Sequence, residues 1–201
     1  MAPLVKIIAA SWLLFFFNPT GELQNVTIKK QHYTSVYSQS LEQPLMVTYD
    51  VLCNSKQSKA NYNSRQGLNF YVESGIHTSD DLDYAHNDYD KGHMAPAADF
   101  NCDETALKET FSYVNCALQH KDLNRGQWKD LESYEKELAI NNKVSVLITL
   151  DFFGSVRNTT GAMIPVGFTK TISLNGKKFK SYYFPNQRVS GSYEKYLVKK
   201  Y

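Results

Sequence analysis

The 201 residues carry a formal charge of +2, and 42% of them are hydrophobic and 13% aromatic. That content excludes a disordered or collagen-like chain, and the length suits one domain able to bury a substantial core. Charge is unevenly spread: residues 1–142 hold 12 Lys/Arg against 18 Asp/Glu, whereas residues 143–201 hold 10 against 2. The C-terminal part therefore reads as a basic surface for a polyanion or as a solvated basic face with no ligand.

In chain order, the first feature is an uncharged run from Ile7 to Phe17, preceded by Lys6. Its eleven residues fit the apolar part of a secretory signal and fall short of the roughly 20 that span a bilayer, so no stable membrane span is expected. No small-x-small cleavage site follows. Residues 1–20 are thus read as a signal peptide or as a hydrophobic N-terminal segment such as a buried strand, and residues 21–201 as a single domain. The first reading implies a secreted or periplasmic protein, the second an intracellular one.

Strand-like runs follow at 44–52, 68–73, 143–153, 168–174 and 178–184. Asn175-Gly176 between the last two is a two-residue hairpin signal, because both residues accept positive φ. The spacing of Trp128, Leu131 and Leu138 predicts a helix over 123–140, closed by Asn141-Asn142. Strands around one central helix indicate an α+β domain. Asn25-Val26-Thr27 and Asn158-Thr159-Thr160 are glycosylation sequons, meaningful only in a eukaryotic secretory pathway. Cys53, Cys102 and Cys116 allow at most one intramolecular disulfide and do not settle the compartment.

"DYDKGHMAPAADF", residues 88–100, crowds acidic residues and His93 against a small apolar bed. Gly92 permits close backbone approach, and Met94 to Ala98 could fix the ring, so His93 reads as a general base or as a structural histidine. His86, His93, Cys102, Cys116 and His120 lie within 35 residues, which raises a zinc-stabilised domain as an alternative, but no close ligand pair is present. Asn124, at the predicted helix start, is an N-cap or a single hard oxygen ligand for Mg²⁺. Glu132 lies two turns on, about 80° further round an ideal helix, and so shares a side with Asn124.

Three blocks in order, "DYDKGHMAPAADF", "FSYVNCALQ" and "LNRGQWKDLE", resemble the DNA/RNA non-specific endonuclease family of the ββα-metal superfamily. Asp90, Gly92, His93, Ala95, Pro96 and Ala97 match the first block; Asn115 and Gln119 match the second. Leu123, Asn124, Trp128, Leu131 and Glu132 match the third. Weaker similarity, including Arg65 as the upstream arginine, extends the resemblance to roughly residues 30–187.

The resemblance implies a ββα-metal nuclease fold, a mainly antiparallel sheet with flanking helices. It implies a metal-dependent, sequence-nonspecific endonuclease that hydrolyses DNA and RNA and leaves 5′-phosphate ends. His93 would be the general base and Asn124 the direct ligand of one Mg²⁺, with Mn²⁺ as a substitute. Glu132 would orient one of the ion's waters, Arg65 and Lys91 would grip phosphate oxygens, and Asn115 would position the histidine loop or the scissile phosphate. Relatives pair, so a homodimer is also implied. Two positions depart from the family pattern: Lys91 stands where the family has arginine, which loses a bidentate fork, and Leu118 where it has proline. A protein of this fold that binds nucleic acid without cutting it is the alternative.

Overall fold

The computed structural model describes residues 24–199, so the N-terminal apolar run and its two readings lie outside the described residues. The main sheet has six antiparallel strands: β1 Asn25–Lys29, β2 Tyr33–Ser38, β3 Gln43–Asp50, β6 Val144–Asp151, β9 Gly167–Leu174 and β10 Lys177–Pro185. They are ordered β1-β2-β3-β6-β9-β10. Alternation sets the faces. In β6, Val144, Val146 and Ile148 are buried while Leu147 points out, as a half-buried strand of period two requires.

Four of the expected strands are present, and Asn175 and Gly176 take φ of 51° and 81° in the β9–β10 turn. The expected strand at 68–73 is not formed. Tyr71 makes a single bridge to Ser112, while Leu68 and Phe70 pack on a small separate cluster of Ala97, Leu107 and Phe111. Leu68 and Phe70 thus find partial burial without a ladder partner, while Tyr71 and Val72 stay exposed. Polar-looking β1 and β2 escaped the sequence reading because their hydrophobic alternation is diluted by Thr, Ser and Asn.

A second, two-stranded sheet pairs β4 Tyr89–His93 with β5 Cys116–His120, with Asp90 opposite Gln119 and His93 opposite Cys116. The chain leaves β5 directly into helix. The predicted helix 123–140 begins earlier and is broken: α3 Lys121–Leu123, a π-turn over Asn124–Trp128 with Gly126 at φ −107°, ψ −113°, then α4 Lys129–Leu138. His120 is the N-cap, its ring nitrogen accepting from the Asp122 amide at 3.2 Å. Asn124 is thus not an N-cap but lies in helical conformation inside the element. The distorted turn also interrupts the regular helical period from which the 80° phase between Asn124 and Glu132 follows.

The helical layer is anchored to the sheet by Trp128, wholly buried between Phe168 and Phe184 at centroid distances of 5.5 and 5.8 Å. Lys170 from β9 lies 4.4 Å over the same indole and 3.0 Å from Glu135 of α4, both charges fully buried. Tyr49 of β3 donates to Glu135 at 3.0 Å. Aromatic, ionic and hydrogen-bonded contacts at one place hold the helix in one orientation against the sheet.

Before β4, α1 Ser55–Ala60 is closed at its start by a capping box between Asn54 and Gln57. After β4, α2 Glu104–Glu109 is capped by Asp103. Cys53 and Cys102 form a disulfide beside them, and Cys116 is a buried free thiol whose pKa burial pushes up to about 12. A two-residue pair, β7 Val156–Arg157 with β8 Met163–Ile164, completes the fold. No helix among the described residues is long and apolar enough to cross a membrane.

Candidate active site

A cleft of about 900 Å³ opens between the loop 62–68, the β4 and 96–101 segment, and the helical layer. His93, Lys91, Arg65, Asn124 and Glu132 all line it. Residues scattered over nearly seventy positions thus converge, because the β4–β5 pair delivers the histidine and the chain continues from β5 straight into the asparagine-bearing turn.

His93 is wedged between Phe70 and Phe111, with ring centroids at 4.9 and 4.8 Å. Its Nε2 is buried without a hydrogen-bond partner among the described residues, and the residue lines the cleft. Burial, reinforced by the Arg65 guanidinium, pushes its pKa down to about 3, so the ring is neutral at pH 7. Arg65 itself is exposed and has no carboxylate within ion-pair distance among the described residues.

Asn115 is fully buried and does not reach the cleft. Its Oδ1 accepts from the Ala95 amide at 2.8 Å, and its Nδ2 donates to the carbonyls of Ala95 and Thr110, both at 2.9 Å. Of the two roles expected for it, the geometry favours holding the histidine loop, since every polar atom of the side chain is already engaged. Lys91 lines the cleft, yet its ammonium is paired with Asp81, which also accepts from Tyr113. It lies 5.5 Å from the Phe70 centroid.

Asp90 was not singled out for a role from the sequence. Its carboxylate accepts from Asn124 Nδ2 at 2.9 Å and from Arg125 Nε at 2.8 Å and Nη2 at 2.5 Å. Burial alone would raise its pKa, but these donors hold it below the usual carboxylate range. With its nitrogen tied back, Asn124 has its carbonyl oxygen left for a cation. Glu132, by contrast, is pushed up to about 7 by burial; the Lys170 ammonium opposes this and Glu135 reinforces it. Period two along β4 puts Asp90 on the strand face opposite Lys91 and His93, so the local pattern does not mark it as a residue of the same cleft.

The cations of the cleft, Arg65, Lys91, Arg125 and Lys129, come from the acidic N-terminal portion. Among the described residues, none of the basic side chains from Lys143 onward lines it. Several are committed elsewhere, as in the buried Lys170–Glu135 pair. The charge imbalance along the sequence therefore does not mark the binding face.

The sequence profile of the DNA/RNA non-specific endonuclease family matches residues 16–200. The chain belongs to that family. Among relatives, it is 31% identical to bovine (Bos taurus) mitochondrial endonuclease G over 78 residues, which is 37% of this chain and 26% of that protein. It is 27% identical to a nuclease of Serratia marcescens over 182 residues, 82% of this chain and 65% of that protein. These matches cover less than two thirds of either relative. In three dimensions, a chain of the crystal structure of the EndoG/EndoGI complex superposes with a TM-score of 0.76 at 25% identity, covering 88% of this chain and 81% of that one. The ββα-metal nuclease fold and the mainly antiparallel sheet are those of the family.

Within this non-specific endonuclease fold, the zinc alternative loses a ligand. Cys102 is bonded to Cys53, so it supplies no thiolate, and among the described residues no three His, Cys, Asp or Glu side chains converge on a metal position. A hard cation that keeps most of its waters needs no such cluster, and the free Asn124 oxygen suits it.

Proposed function

We propose that this protein is a metal-dependent, sequence-nonspecific endonuclease that hydrolyses phosphodiester bonds in DNA and RNA. The observation that carries this reading is the convergence in one cleft of neutral His93, unpaired Arg65 and an Asn124 held by Asp90. Family membership supports it.

Asn124 would hold the cation, Mg²⁺ or Mn²⁺. Bound there, the ion supplies charge stabilisation to the phosphate and the departing oxygen. Neutral His93 presents a ring-nitrogen lone pair to water and takes its proton as the oxygen attacks phosphorus. The bond from phosphorus to the 3′ oxygen breaks, that oxygen takes a proton from solvent water to become a 3′-hydroxyl, and the other strand end keeps the 5′-phosphate. A phosphate arriving beside Arg65 offsets the guanidinium's effect on the ring, so His93 becomes a better base when substrate is bound. Glu132, which lines the same cleft as Asn124, orients water there, and the Asn115 bonds keep the histidine loop in place. All these contacts address backbone and none a base edge, which supports low sequence specificity. The Cys53–Cys102 disulfide supports action in an oxidising compartment, secreted or periplasmic.

The test is degradation of supercoiled plasmid and of single-stranded RNA by wild type and His93→Ala, each with Mg²⁺ and with EDTA. Cleavage by wild type with Mg²⁺ alone supports the reading. Binding without cleavage by wild type would reduce the likeness to one of fold.

A further inference from the structure

The cleft holds two features that backbone contacts do not use. One is Tyr62, which lines its mouth with 65% of its surface exposed. The other is an apolar floor that includes Leu68, Phe70 and Pro96. A lone exposed tyrosine is ordinary on a protein surface. This one is set in a particular place: the next residue, Asn63, is tied to the opposite segment by its amide and side-chain nitrogens, both donating to the Asn101 carbonyl at 2.7 and 3.0 Å. Arg65, which like Lys129 lines the cleft without an ion-pair partner among the described residues, lies three residues after Tyr62.

We propose that the cleft takes a single unpaired strand, with one base stacked on Tyr62 while Arg65 holds an adjoining phosphate. This deepens the nuclease reading and rests on it. In a duplex the base faces are hidden against one another, so an aromatic ring and an apolar floor gain nothing from it. In an unpaired strand every base offers a π-face, and stacking is tolerant of sequence, which agrees with the low sequence specificity proposed above. The anchored backbone at Asn63 lets the ring be presented without ordering the whole loop on binding. Single-stranded nucleic acid, or a locally opened duplex, is therefore the preferred substrate class.

The experiment measures fluorescence anisotropy of a short labelled single strand and of a hairpin duplex of equal length, in EDTA, with wild type, Tyr62→Ala and Tyr62→Phe. Cleavage of both substrates with Mg²⁺ is measured in parallel. Stacking predicts that Tyr62→Ala weakens single-strand binding by about tenfold, leaves duplex binding within about twofold, and that Tyr62→Phe restores the wild-type value. Equal losses on both substrates, or no loss on either, overturn the proposal while leaving cleavage as evidence for the nuclease. A wild type that binds with this preference but never cuts supports the stacking site and overturns the nuclease reading.

Discussion

Asp90 Oδ2 accepts a hydrogen bond from Asn124 Nδ2 at 2.9 Å, joining the strand that carries the histidine to the turn that carries the metal-ligand candidate. The bond spans 34 positions of sequence and fixes which end of the Asn124 amide faces the cleft. Replacing Asp90 with alanine frees that amide to rotate. Apparent Mg²⁺ affinity, read from activity against Mg²⁺ concentration, should fall about 10- to 100-fold. An unchanged Mg²⁺ dependence would show that Asp90 serves only the surface pair with Arg125.

His93 and Glu132, both lining the cleft, titrate far apart. His93 loses its proton near pH 3, so it stays in the base form through the physiological range, whereas Glu132 protonates near pH 7 without metal. A bound cation favours ionised Glu132 and competes with the proton. The acid limb of the pH–rate profile should therefore move to lower pH as Mg²⁺ is raised. A limb that ignores Mg²⁺ would assign it to His93.

Glu132 also links function to stability. Its carboxyl has a pKa of about 7 in the fold against an ordinary 4.5, so the native state favours the protonated form. Stability from this group is complete below pH 4.5 and is lost as pH rises through 7. Glu132→Gln should stabilise the metal-free protein at pH 8 by about 1–3 kcal/mol, discounted for the group's partial exposure, and have no such effect at pH 4. Urea denaturation at the two pH values checks this; the same variant should lose most of its cleavage.

Asn115→Ala removes three buried hydrogen bonds and strands the Ala95 amide and two carbonyls. The expected loss is about 2–4 kcal/mol in chemical denaturation. A stable but inactive variant would instead place Asn115 in contact with substrate.

Arg65 and Lys91 both line the cleft, but only Lys91 is already ion-paired. Steady-state kinetics should show Arg65→Ala raising KM about tenfold or more and Lys91→Ala raising it only a few-fold. The reverse order would mean that Lys91 leaves Asp81 when substrate arrives.

Much of this protein was legible in its sequence. The three ordered blocks pick out His93, Asn124 and Glu132, which line one cleft, and alternation located β3, β6, β9 and β10 because burial of one sheet face repeats every second residue. The Asn175-Gly176 hairpin follows from local backbone freedom alone. Tertiary structure decided the rest. Whether 68–73 pairs depends on a neighbour offering a ladder, and its only bridge is at Tyr71. The phase between Asn124 and Glu132 depends on the irregular turn at Gly126, which the regular helical period conceals. The cleft's cations come from the acidic portion of the chain, and Asp90 proves to be the partner of Asn124, because docking β4 against the broken helix sets these meetings. Local pattern records what each segment buries; which polar groups then face one another is set by the packing of distant segments, and no spacing along the chain encodes it.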